Sequence, residues 1–133
     1  MSVTIKKGKD KESYVIYRYL RDAWDKNKID NIVETKVLFL DKNEQPIDLE
    51  TVDINDLQSS GKVESVFRKG AELHAASIVV AQNDPEDNVV PQSSHLKLLD
   101  LFKNTSPGFN IRFDDLILFS KWGYNSAREN NKL

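Results

Sequence analysis

Imidazole, carboxylate and amide side chains carry whatever chemistry this 133-residue chain can do, because it has no cysteine and only two histidines, His74 and His95. A thiolate nucleophile, thiolate zinc, Fe–S ligation and a disulfide framework are thereby excluded. A three-His metal centre is impossible, and a two-His centre would consume both imidazoles. His74 falls at the end of an expected helix, where a protonated ring would meet the C-terminal dipole favourably, and nothing else near it points to catalysis. Asp114-Asp115 is a carboxylate pair, but neighbours on a strand face opposite sides, which argues against a shared-proton dyad. No Ser-His-Asp order and no glycine-rich phosphate loop is present.

These residues must be positioned by an ordinary globular domain. The composition is 39% hydrophobic and 30% charged, with five Gly and four Pro, and the length is that of one domain with one sizeable core. No run approaches the ~18 apolar residues of a membrane span, and the N-terminus lacks a signal-peptide core, so the chain is expected to be cytoplasmic with no membrane contact. Residues 1–10, with Lys6, Lys7 and Lys9, read as a flexible, solvated arm. The segment 31–60 carries two basic and seven acidic residues, which argues against the main body being a DNA-binding face.

Three- and four-residue spacing from Asp10 to about Asn27 predicts an amphipathic helix capped by Asp10 or Ser13, with its tyrosines and Trp24 in the core. Residues 33–40 and 47–52 read as a hairpin around the polar 41–46 loop. Ser59-Ser60-Gly61 opens a helix from about Lys62 to His74 with Val63, Val66, Phe67, Gly70 and Leu73 on one face. Residues 75–81 are a continuous apolar run that suits a central strand. Ser93 or Ser94 caps a helix expected to stop near Asn104, before Thr105-Ser-Pro-Gly108. Strands follow at 111–119 and 123–126, and Trp122 and Tyr124 are expected to pack. The order gives an α/β (α+β) three-layer α-β-α sandwich with a mixed central sheet over 11–130.

The run Ala75-Ala-Ser-Ile-Val-Val-Ala-Gln-Asn-Asp-Pro85 resembles the metal-binding strand of RadC-like JAB/MPN (JAMM) domains, where it ends His-Asn-His-Pro-Ser-Gly. Val37-Leu-Phe-Leu-Asp41 resembles that family's first strand, Asp114-Asp-Leu-Ile-Leu118 its Asp-His-hydrophobic strand, and Gly123-Tyr-Asn-Ser126 its closing Gly-Tyr-X-Ser. The resemblance implies the family's cytidine deaminase-like architecture and, as function, a zinc-dependent hydrolase using two His, one Asp, a general-base Glu and an oxyanion-binding Ser. Carried onto this chain, the two His fall on Gln82 and Asp84, the Ser on Gln92, the ligand Asp on His95 and the base Glu on Val33. Glu34 is one position off and so on the opposite strand face. None of the five positions keeps its family residue, and the expectation is a domain without catalytic residues or cofactor that serves as a binding or scaffold module for a protein partner. The alternative is a divergent metal-dependent hydrolase, with zinc or another cation on Gln82, Asp84 and His95. A DNA-repair association follows only from the family's customary label, and the sequence does not set the oligomeric state.

Overall fold

The computed structural model describes residues 12–133, so the arm over 1–10 and the cap Asp10 lie outside the described residues. Three helices and a 3-10 turn surround one five-stranded sheet. In chain order these are α1 (Glu12–Ala23), β1 (Thr35–Leu40), β2 (Pro46–Val52), the 3-10 turn Asp56–Gln58, α2 (Ser60–Glu72), β3 (Ser77–Asn83), α3 (Ser93–Phe109), β4 (Arg112–Phe119) and β5 (Tyr124–Ser126). The sheet order is β2-β1-β3-β4-β5. All neighbours are antiparallel except β3 and β4, which are parallel and joined through α3, as a parallel pair requires a long crossover. No helix among the described residues is long and apolar enough to cross a membrane.

Strand alternation builds two cores. Val37, Phe39, Ile78, Val80, Leu116 and Leu118 point to one face, where Val63 and Phe67 of α2 and Leu98, Leu99 and Phe102 of α3 cover them. Leu38, Leu40, Val79, Ala81, Ile117 and Phe119 point to the other, against Ile16, Tyr17, Leu20 and Trp24. β3 is therefore apolar on both faces, as expected of a central strand. Each large side chain so buried contributes about 1.5–3 kcal/mol, which holds the three layers together.

Local signals explain the helix ends. The Ser59 hydroxyl accepts the Lys62 N–H and caps α2. Just past that helix's C-cap Leu73, His74 at a left-handed φ of 58° takes the place usually filled by glycine, while Ala75 N–H donates to Gly70 O at 2.8 Å. Gly70 lets α2 come close to the sheet, since a Cβ there would lie a tight 3.2 Å from Ile111 Cδ1 and 3.4 Å from Phe39 Cε1.

Three local expectations are corrected. α3 does not stop near Asn104 but runs through Pro107 to Phe109. Stacking of Phe109 on Phe67, centroids 5.6 Å apart, and a Thr105 hydroxyl bond to Leu101 O outweigh the lost N–H, and Asn110 at φ 55° ends the helix. Ser13 is no cap, because it lies inside α1 and its hydroxyl bonds Glu129. Trp122 does not pack into the core: it is 65% exposed, with Lys121 Nζ 4.7 Å over its ring, whereas Tyr124 stacks on Tyr17 at 4.8 Å.

Candidate functional site

The C-terminal ends of the parallel strands are where open α/β sheets place their ligands, and Gln82 sits there, next to last in β3. β3 and β1 pair in an unbroken antiparallel register with Gln82 opposite Thr35. Both side chains therefore emerge on the face covered by α3. α3 begins with Gln92 as N-cap, which puts His95 at its third position. The His95 ring is buried and meets Gln82 directly.

Three hydrogen bonds order the atoms. Gln92 N–H donates to His95 Nδ1 at 2.9 Å, His95 Nε2 lies 2.7 Å from Gln82 Oε1, and Gln82 Nε2 donates to the Thr35 hydroxyl at 2.8 Å. Because Nδ1 receives an N–H it carries no proton, so a neutral ring must carry its proton on Nε2 and donate it to Gln82. That fixes the Gln82 amide with oxygen toward the ring and nitrogen toward Thr35. Burial pushes the His95 pKa below the ordinary histidine value, which reinforces the neutral form.

This arrangement does not suit a cation. A metal at Nε2 would need Nδ1 to carry the proton, and ligating histidines donate that second N–H to an acceptor. Here Nδ1 faces another N–H. The Gln82 oxygen that would be the second ligand is already the acceptor of the His95 proton. Asp84, the third candidate, is diverted into a turn: its Oδ1 accepts Glu86 N–H at 2.7 Å and its own N–H donates to Phe119 O at 2.8 Å. The structure thus brings Gln82, Gln92 and His95 together, adds Thr35, and gives Asp84 a backbone partner instead.

Val33 is exposed and precedes β1. Glu34 lies opposite Asn83, exchanging backbone and side-chain bonds with it, and no bulge rotates it toward His95. It shares the α1 face, where its Oε2 lies 4.0 Å from Lys28 Nζ. Glu34 therefore does not reach the His95 side of the sheet, and Val33 has no carboxylate to offer.

Asn83 and Thr35 were not singled out by residue chemistry. Asn83 is 1% exposed and ties down the α1–β1 connection, donating to Ile29 O at 3.0 Å and Ile32 O at 2.8 Å while accepting Glu34 N–H at 2.7 Å. The signal for it was its place in the resemblance, where it matches the Asn between the family's two His.

The Asp114-Asp115 pair is separated by a bulge rather than by simple alternation. Phe113 opposes Ile78 and Asp115 opposes Val79, which leaves Asp114 as the extra residue. Asp115 is buried and accepts from the Ser126 hydroxyl at 2.5 Å and Arg128 N–H at 3.0 Å. Burial raises its pKa, offset in part by those two bonds. It fastens β5 and the turn after it to β4, a structural duty. His74 is exposed in its left-handed turn and makes no contact with the site. Among the described residues the group of three acidic or imidazole side chains close enough to share a cation is Glu12, Glu44 and Asp114, and Arg128 and Arg112 engage two of them.

The mixed five-stranded sheet between one helix and two, with Gln82 and Asn83 at the end of its central strand, defines a JAB-type sandwich. Residues 11–132 match the RadC-like JAB domain family, and the chain belongs to it. The chain is also similar to a UPF0758 protein of Fusobacterium nucleatum subsp. nucleatum, 29% identical over 118 residues. That match covers 86% of this chain and 49% of the relative, so the chain spans about half the relative's length.

Proposed function

We propose that this RadC-like JAB domain performs no metallohydrolase chemistry and serves as a binding or scaffold module for a protein partner, using the sheet end where the family's reagents would stand. The observation that carries the reading is the direct 2.7 Å bond between His95 Nε2 and Gln82 Oε1. Two positions that would hold a cation satisfy each other, and the ring's second nitrogen is committed to the helix cap. With Glu34 on the opposite face and no carboxylate on Val33, a bound water would also lack the proton acceptor that the family places there.

The test is metal analysis of the purified chain, followed by zinc and manganese titration with thermal stability as readout. Sub-stoichiometric metal and an unchanged melting temperature are expected, because a cation that binds only the native state would raise it. A stoichiometric metal that is lost in His95→Ala would overturn the reading in favour of a divergent hydrolase. A gel shift at low salt separates off a DNA-associated role, for which no retardation is expected given the acidic loop at this end.

A further inference from the structure

Three loops are stitched together at the C-terminal end of β3 and β4. Lys121 Nζ lies 3.1 Å from Asp30 Oδ2, the Ser120 hydroxyl donates to Asp87, and Tyr17 OH donates to Ser120 O at 3.0 Å. The resulting tip gathers Ile32, Val33, Val90, Leu96 and Trp122, five of the eight large apolar side chains that are exposed among the described residues. Such clustering marks a contact surface, where scattered exposure would not. Beside it, a cavity of about 300 Å³ opens between the first turns of α3 and β5, with Leu96, Leu99, Leu116 and Leu118 as its apolar wall.

Charge polarises the same surface. The loop 84–92 leads into the cavity at Pro91 and holds Asp84, Glu86 and Asp87 with no basic residue. At the far side the cavity is lined by Lys132, whose carbonyl accepts Lys103 Nζ at 3.2 Å, so the Lys103 ammonium is held beside a second basic residue there. Neither ammonium is ion-paired among the described residues. Acid, apolar socket and base follow one another across the surface.

We infer that this surface takes an extended segment of a partner protein whose side chains run basic, apolar, acidic. The apolar residue fills the cavity as the anchor, the basic residues face the Asp84–Asp87 loop, and the acidic ones face Lys103 and Lys132. A buried anchor supplies affinity, while the opposed charges set the direction in which the segment lies. This rests on the metal-free binding reading above and gives its partner a chemistry.

The experiment selects random displayed dodecapeptides on the immobilised full chain, then measures a fluorescent copy of a selected peptide against Glu86→Lys, Leu96→Asp, Trp122→Ala and Lys132→Glu. All four positions are exposed, and unchanged thermal unfolding verifies that each variant folds. Selected peptides are expected to carry Lys or Arg, then Leu, Phe or Trp, then Asp or Glu, and Leu96→Asp is expected to weaken binding about tenfold or more. Charge-reversed peptides should regain affinity for the Glu86→Lys, Lys132→Glu double variant. No enrichment, enrichment without that charge order, or affinity indifferent to all four substitutions overturns the inference. These results leave the metal-free reading standing, whereas a stoichiometric metal at His95 overturns that reading whatever peptides bind.

Discussion

His95 is a histidine that the fold keeps neutral. A proton added to Nδ1 would face the Gln92 N–H across 2.9 Å, replacing a hydrogen bond with two opposed donors. Because its folded pKa lies below the unfolded value, the unfolded chain takes up the proton first as pH falls below about 6.5. The stability this ring contributes is therefore present above that value and is lost as pH falls through the lowered folded one. Asp115 works in the opposite sense: its raised carboxyl contributes stability that is present at low pH and lost as pH rises through the folded value. The difference between wild type and His95→Gln isolates the imidazole, since glutamine at this helix position can still accept the Gln92 N–H without titrating. Melting temperatures of the two should converge or cross between about pH 7.5 and pH 5.5, and parallel curves would sink the assignment. At this scale the sequence reading placed Gln82, Gln92 and His95 at the site through their motif positions and set Glu34 on the wrong face by strand parity alone. It could not show that Gln82 and His95 bond each other, because that depends on how α3 lies across the sheet, nor that Asp84 would spend its carboxylate on a local turn.

Between elements, Asn83 does what no helix or strand does alone, holding the connection from α1 to β1 by three bonds. Asn83→Ala removes all three and leaves buried backbone groups unpaired, at a cost of about 3 kcal/mol. Urea unfolding gives the loss directly, and amide exchange should quicken first at Glu34. A loss under about 1 kcal/mol would mean that the connection is held by packing of Ile29 instead. Element order, the hairpin, the central strand and the stripe of Val63, Phe67 and Gly70 on α2 were all legible, because strand and helix periodicities are local. The end of α3 was not. Pro107 and Gly108 are strong local stop signals, and a tertiary contact, Phe109 on Phe67, overrode them. Trp122 was misread for the converse reason: composition says that tryptophan is usually packed, and only the loop's outward course shows this one at the tip.

Across the whole molecule, β3 pairs on both sides with strands distant in sequence. Residues 41–76 separate it from β1 and residues 84–111 from β4, whereas β1 and β2 meet across a short turn. Chain closure over such spans is slow relative to hairpin formation, so seating β3 should set the refolding rate. Val80→Ala, in the middle of that strand, is expected to slow refolding in stopped-flow experiments, while Tyr124→Ala on the edge strand β5 should mainly speed unfolding. Equal partition of both changes between the two limbs would argue for a diffuse barrier. Until β3 is seated, the second edge of β1, along Val37, Leu38, Phe39 and Leu40, stays unpaired although β2 holds the first, and that interval is when nascent chains are most open to aggregation.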